Sequence, residues 1–278
     1  MHLFNKKLSN SFSLNKVIKV IAGLNNNDIK SIIKLAKALE LTDATYIDII
    51  ANTRLVSILN SITDIPICVS SIDPLELYNC ILCGADIVEI GNFDIFYSRN
   101  IVLSDTDVLN LAIETRKMIP NNDICVTIPH YLDLYKQVKL AKNLEQVGIN
   151  IIQTEGYSTK FYNKNIFFQN SDNVSLSTSI ASASLSATYA ISQSLNIPVI
   201  TSSGINCLSS PMTLLYGASG IGLGTALNNQ TNIFNICVYI NEISHAISNQ
   251  SNHLINNSSI SSFYQKDFMN IDNSLFVV

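Results

Sequence analysis

Eight short apolar runs, each followed by a longer stretch of mixed polarity, recur along the 278 residues. This alternation constrains the fold more than any other feature of the chain. The runs are Val17–Ala22, Ala44–Ala51, Pro66–Ser71, Ala85–Ile90, Asp123–Ile128, Asn150–Thr154, Ile197–Ser202 and Ser219–Gly224. The stretches between them read as helices over Asp28–Leu41, Arg54–Ser61, Pro74–Cys83, Asp105–Met118, Tyr131–Val147, Ser175–Leu195, Leu208–Tyr216 and Ile233–Ile247. Strands that are apolar throughout belong in a parallel sheet covered on its faces by helices. Eight consecutive strand–helix units favour closure over an open sheet, so the expectation is a single (β/α)8 TIM barrel spanning 16–247. Residues 1–15 are set apart as an N-terminal extension. Residues 248–278, rich in Asn and Ser, are read as a peripheral appendage.

The junctions carry local chemistry that agrees with this reading. Pro66, Pro74 and Pro198 stand at element starts, where a missing N–H does little harm. Gly84, Gly148 and Gly217 fall between a helix and the next strand, where a left-handed cap is expected. Before the second strand, Thr42-Asp43 replaces that glycine. A polar insertion, Gly156–Asn173, follows the sixth strand.

Composition narrows the function classes. Hydrophobic residues make up 47% of the chain and charged ones 14%, which is ample material for one large core. The net charge of −4 and the absence of a Lys/Arg cluster argue against nucleic acid as a partner. No apolar run approaches the roughly 18 residues of a membrane span, so no membrane partner is expected. Met1–Asn15 has neither the apolar stretch of a secretory signal nor the arginines of a transit peptide. Six scattered cysteines, mostly within apolar runs, fit reduced thiols in an intracellular protein. The Cys80/Cys83 pair lacks a second pair or histidines to complete a zinc site and reads as helix packing.

In such barrels the working face lies at the carboxyl ends of the strands, and phosphate sites recur after strands seven and eight. Strand seven here runs into Ser202-Ser203-Gly204-Ile205, and strand eight into Gly222-Leu223-Gly224-Thr225. Glycines let backbone N–H groups approach an anion. Gly204, Gly224 and Thr225 are therefore the expected phosphate ligands, unless the glycines only relieve crowding.

Polar residues inside the strands are a second signal. Lys19, Asp48, Glu89, Thr127 and Gln153 each interrupt a different apolar run. An unpaired buried charge is costly, so these side chains are expected to converge on the lumen and satisfy one another. Lys19 is placed within reach of Asp48 and Glu89, with one net negative charge if all three ionise. Its functional reading is a Schiff-base nucleophile or an acid–base group tuned by the carboxylates. A buried structural network is the alternative.

At the mouth stand Asn52, Ser71, Asp73, Asn92, His130 and Glu155. His130 and Glu155 join the catalytic candidates, His130 as a proton shuttle or substrate ligand, or else as a cap or solvated loop residue. Asn52, Ser71, Asp73, Asn92, Thr127 and Gln153 are the substrate-binding candidates. A phosphate ligand could bring Mg²⁺ to Asp73, Asp94 and Glu155, but no fixed ligand spacing supports it, and no resident cofactor is expected.

The stretch Pro198–Leu227 resembles the phosphate-binding ends of the ribulose-phosphate-binding barrel superfamily. From about Phe4 to Leu227 the chain more closely resembles the family called hypothetical chloroplast reading frame twenty-three, found in algal plastid genomes and cyanobacteria. The resemblance rests on Lys19-Val20-Ile21-Ala22-Gly23, Tyr46-Ile47-Asp48-Ile49 and Cys68-Val69-Ser70-Ser71-Ile72-Asp73-Pro74. It continues through Val88-Glu89-Ile90-Gly91-Asn92-Phe93-Asp94, Val126-Thr127-Ile128-Pro129-His130 and Gln153-Thr154-Glu155-Gly156. It implies a phosphate-binding barrel in the plastid stroma, or in the cytosol of cyanobacterial relatives, with no established reaction. Abundant Asn, Ile and Lys fit a plastid-encoded chain. Two functions are expected from different classes. One is an enzyme of lyase, aldolase-like or isomerase type acting on a phosphorylated metabolite; the other is a non-catalytic binding or regulatory protein. The oligomeric state is left open.

Overall fold

A computed structural model of the chain describes residues 3–23, 28–91, 93–97, 100–156, 174–228, 230 and 232–248, without the side chains of 94–95, 174–176 and 228. Eight parallel strands close into a barrel in chain order, with β1 paired to both β2 and β8. The strands are β1 (Val17–Ile21), β2 (Tyr46–Ile50), β3 (Ile67–Ser71), β4 (Ile87–Ile90), β5 (Asp123–Ile128), β6 (Ile151–Thr154), β7 (Val199–Thr201) and β8 (Gly220–Leu223). The helices are α1 (Lys6–Ser13), α2 (Ile29–Leu39), α3 (Thr53–Asn60), α4 (Pro74–Leu82), α5 (Asp94–Tyr97), α6 (Asp105–Met118), α7 (Leu134–Gln146), α8 (Val174–Ser192), α9 (Ser210–Leu215) and α10 (Thr225–Asn228). A last helix, α11, covers 233–248. The expected barrel is therefore the observed one, and α1, α5 and α10 are additions that the apolar pattern does not mark.

The period of two within each strand divides the core. Outward residues such as Ile18, Val20, Ile47 and Val69 pack with the helices in the larger apolar cluster. Inward residues Val17, Tyr46, Cys68, Ile87, Cys125, Ile151 and Ile200 form a separate floor to the lumen. Leu3, Leu8 and Phe12 complete that floor, so residues 3–15 supply a helical plug beneath the barrel. Asp123 at the foot of β5 fastens the plug by accepting the N–H groups of Phe4 and Asn5 at 3.0 and 2.9 Å. Asn5 caps α1 and also donates to Asp86 at the foot of β4.

The expected glycine caps are present. Gly84, Gly148 and Gly217 have φ of +104°, +89° and +90°. Where glycine is missing, Thr42 turns the chain with its hydroxyl, donating to the Leu39 carbonyl at 2.8 Å and accepting the Ala44 N–H at 3.2 Å. Helix α7 begins at Leu134 rather than the expected Tyr131. Asp133 adopts extended backbone and its carboxylate takes the Lys136 N–H at 2.9 Å, which stops the helix there. Pro129 to Leu132 are thereby left as a loop on the mouth. All six cysteines are free. Burial, with Cys83 nearby, pushes the Cys80 thiol up to about 11, as suits a packing residue. Residues 249–278 of the expected appendage and 157–173 of the insertion lie outside the described residues.

The plug generates a stability prediction. Phe12 is buried at 1% exposure, and truncating such a side chain to alanine costs about 3–5 kcal/mol. Phe12→Ala is expected to lower the unfolding free energy obtained from urea titration by that amount, with Asp123→Ala causing a smaller loss; unchanged unfolding free energies in both variants would refute the plug.

Candidate functional site

Above the apolar floor, the lumen turns polar. The next inward residues are Lys19 on β1, Asp48 on β2, Ser70 on β3, Glu89 on β4, Thr127 on β5 and Gln153 on β6, all buried. Lys19 Nζ donates to a Glu89 carboxylate oxygen, to Gln153 Oε1 at 2.8 Å, and pairs with Asp48 Oδ2 at 3.0 Å. The three acceptors match its three N–H donors. Thr127 Oγ1 and Gln153 Nε2 each donate to Glu89 Oε1 at 2.9 Å, and Ser70 Oγ donates to Asp48 Oδ1 at 2.6 Å. The five strand-interrupting polar residues are thus brought together, and Ser70 is a member that sequence reasoning passed over. It stands two residues after the inward Cys68 in the alternation of β3, and that spacing was the available signal.

Electrostatics follow from the burial. Desolvation pulls the Lys19 ammonium down, but Asp48 and Glu89 more than offset it and hold the group well above the ordinary lysine value. Burial pushes the Glu89 carboxyl up; Lys19 pulls it back and Asp48 pushes it up again, leaving it above the usual glutamate value. Lys19 is therefore a standing cation at neutral pH, next to a carboxyl with a raised proton affinity.

The layer above is open on part of its circumference because it carries glycine. At Gly91 a Cβ would fall 2.5 Å from Thr127 Oγ1 and 2.6 Å from Glu89 Oε1, so the polar layer itself excludes a side chain there. At Gly222 a Cβ would fall 2.8 Å from Ser202 Oγ. Gly204 follows β7 with φ +75° and would drive a Cβ to 2.8 Å from the Ile180 carbonyl oxygen, so its backbone and the packing of α8 both demand glycine. Gly224 differs. Its φ is outside the left-handed region, and a Cβ there would meet nothing nearer than Ile21 Cβ at 3.6 Å. Crowding does not account for this glycine. Thr225, exposed, opens α10 directly after it.

The turn after β7 is held from outside. Ser203 takes φ +70°, unusual for a residue with a Cβ. Its carbonyl accepts the Ser184 hydroxyl at 2.9 Å, from the buried face of α8. One turn on, Thr188 Oγ1 links Thr154 and Thr201 hydroxyls at 2.9 and 2.7 Å, binding α8 to β6 and β7. A Cβ on Gly156 would come within 3.2 Å of Ser203 Cβ and 3.3 Å of Ser184 Cβ, so the chain just past β6 lies directly against this turn.

Beside Gly156, Glu155 is only 7% exposed. Its Oε2 accepts the Tyr97 hydroxyl at 2.9 Å and the His130 N–H at 3.2 Å, and lies 3.0 Å from His130 Nδ1. The two mouth candidates His130 and Glu155 therefore form one pair, completed by Tyr97 from α5. Sequence reasoning missed Tyr97 because nothing in a loop tyrosine reveals which strand end it leans over. Asn52, Ser71 and Asp73 stand at the same rim but serve helix starts. Asn52 caps α3 by the Leu55 N–H at 3.0 Å, and Asp73 caps α4 by the Leu75 N–H at 2.8 Å. Ser71 donates to Glu76 at 2.6 Å. Asn92 and the Asp94 side chain lie outside the described residues. Among the described residues no group of three or more His, Cys, Asp or Glu side chains is arranged to hold a metal ion, and no helix is long and apolar enough to cross a membrane.

Comparison with known proteins gives a sequence family and a fold. The model of the family described as "Protein of unknown function (DUF561)" matches residues 3–253. "Uncharacterized protein ycf23" of Antithamnion sp. is 46% identical over 245 residues, covering 87% of this chain and 88% of that protein. The protein of the same name from Porphyra purpurea is 38% identical over 263 residues, covering 92% and 97%. These agree with the resemblance carried by the strand motifs. Among solved structures, wild-type GGGPS from Thermoplasma volcanium superposes with a TM-score of 0.60 at 13% identity, covering 89% of this chain and 98% of that one. Thiamine phosphate pyrophosphorylase from Pyrococcus furiosus does so with a TM-score of 0.54 at 17% identity, covering 84% and 97%. At such identities the likeness establishes the barrel.

The lumen network makes a prediction with a definite sign. Lys19→Met strands two buried carboxylates, and breaking a buried pair costs about 3–5 kcal/mol. Because protonation relieves the stranded charges, the variant is expected to gain stability as pH falls from neutral toward the unfolded carboxylate value of about 4. In the wild type the Lys19 contribution is fully present below the ordinary lysine value and is lost as pH rises through its raised one. Thermal midpoints measured across pH test both; a variant whose midpoint falls on acidification from neutral would refute the pairing.

Proposed function

We propose, for a chain that belongs to the DUF561 family of unknown function, that the barrel binds a phosphorylated small metabolite at the mouth and transfers a proton on it. The phosphate is received by the backbone of the turns at Gly204 and Gly224 and by Thr225. The observation that carries this reading is Gly224: neither backbone conformation nor packing calls for a glycine there, so the open space serves a ligand's approach. Structural neighbours whose names include phosphate compounds, among them a 3-hexulose-6-phosphate synthase at 14% identity, support the substrate class by analogy of fold.

The proton-transfer group is Glu155 with His130. A carboxylate 7% exposed and 3.0 Å from an imidazole nitrogen is placed to exchange a proton with a bound ligand, with Tyr97 fixing its position. Lys19 has an electrostatic role. A Schiff-base lysine needs a lowered proton affinity, whereas Lys19 is held as an ammonium whose three hydrogens are taken. With two carboxylates around one ammonium the layer carries no net positive charge, so Lys19 acts by holding Asp48 and Glu89 in place beneath the mouth. That complete satisfaction of Lys19 also favours a second reading, in which the network is purely structural and the protein binds its metabolite without turnover. The likeness to algal relatives supports a plastid stroma as the working compartment.

Two variants test the reading. Gly224→Val is expected to fold and to weaken binding of inorganic phosphate or glycerol phosphate at least about tenfold, or 1.4 kcal/mol. Calorimetry showing unchanged affinity would move the site elsewhere. Native mass spectrometry of the purified protein identifies the carried metabolite. With that compound, Glu155→Gln is expected to retain binding and to lose exchange of the ligand's carbon-bound hydrogen with D2O by about 10²-fold or more. No exchange in the wild type would select the binding-protein reading.

A further inference from the structure

Across the mouth from the glycine turns, the exposed chemistry is aromatic. Tyr97, His130 and Tyr131 meet edge to face, with ring centres 5.1 Å apart for Tyr97–His130, 5.7 Å for Tyr97–Tyr131 and 6.1 Å for His130–Tyr131. Two of the rings are tied to Glu155 by hydrogen bonds. The third, Tyr131, leans on both and keeps 37% of its surface exposed. Close by in the chain, Ile101 after α5 is 46% exposed and Leu134 at the start of α7 is 45% exposed. The Ile101 N–H donates to the Phe96 carbonyl, folding that residue back toward Tyr97. The exposed part of Tyr131, held against two fixed rings beside a buried carboxylate, is surface a ligand can cover. A further planar ring completes an edge-to-face cluster better than an alkyl chain does.

The separation of the two halves selects the size of that ligand. The aromatic cluster stands over β5 and the anion turns over β7 and β8, two to three strand spacings away, or roughly 10–14 Å. A three-carbon phosphate ester spans about half of this. Between the two halves lies the end of β6, where Glu155 and Gly156 follow the strand and Gly156 lies against the turn after β7.

We infer that the ligand is a phosphate monoester carrying a planar aromatic ring, which seats on Tyr131 while its linking atoms pass Glu155. This rests on the anion site proposed above and adds the other end of the molecule. The test is calorimetry on the full chain with inorganic phosphate, glycerol phosphate, phenyl phosphate and its longer phenylalkyl homologues, and straight-chain alkyl phosphates of matched length. Phenylalkyl phosphates of the right length are expected to bind at least about tenfold more tightly than glycerol phosphate and than their alkyl counterparts. Tyr131→Ala is expected to abolish that advantage while glycerol phosphate affinity holds, and Tyr131→Phe to retain it. Equal affinity of phenylalkyl and alkyl phosphates would overturn the inference and leave the anion site standing, as would an advantage that survives Tyr131→Ala. Failure of every phosphate compound to bind would overturn the anion site and the inference with it.

Discussion

A lysine ammonium cannot be left alone inside a barrel, and most of what is distinctive in this protein follows from how Lys19 is accommodated. Its three donors are met by Glu89, Asp48 and Gln153 from three different strands. Those acceptors are in turn met by Thr127 and Ser70. Because each partner comes from a different strand, the network can form only when the sheet has closed. The apolar floor below it, completed by α1, places these charges in a surround where an incomplete network would be expensive. Replacing one member is therefore felt across strands β1 to β6.

The same network shapes the mouth. Glu89 and Thr127 reach high enough to exclude a side chain at Gly91. Glycines 222 and 224 keep the opposite wall low. Around this floor the loops contribute two unlike edges: a left-handed turn braced by Ser184, and a carboxylate braced by His130 and Tyr97. Gly156 joins them by allowing the chain after β6 to touch the turn after β7. Backbone donors and a proton-transfer group are thereby brought side by side without any one loop supplying both.

The strand–helix alternation made the barrel legible because each strand must be apolar on both faces and each helix on one. The lumen charges were legible for the same reason: a Lys, Asp or Glu inside such a run has nowhere else to go. Strand ends agreed to within two residues, since the apolar runs themselves mark them. Helix α7 started later than its pattern suggested because a single carboxylate at Asp133 stopped it. The plug was invisible as a plug: Leu3, Leu8 and Phe12 are spaced too sparsely in a polar segment to announce burial.

The sequence by itself thus determined the class of fold, the polar layer and the two glycine turns, since these rest on periodicity and on backbone freedom. Only the tertiary structure decided which candidates meet. His130 and Glu155 form a pair, whereas Asn52, Ser71 and Asp73 are engaged at helix starts. It also set Tyr97 against Glu155 and separated the glycine that packing requires, Gly204, from the one it does not, Gly224. The physical reason is that pairing and crowding depend on distances between strands and loops far apart in the chain, and barrel closure sets those distances.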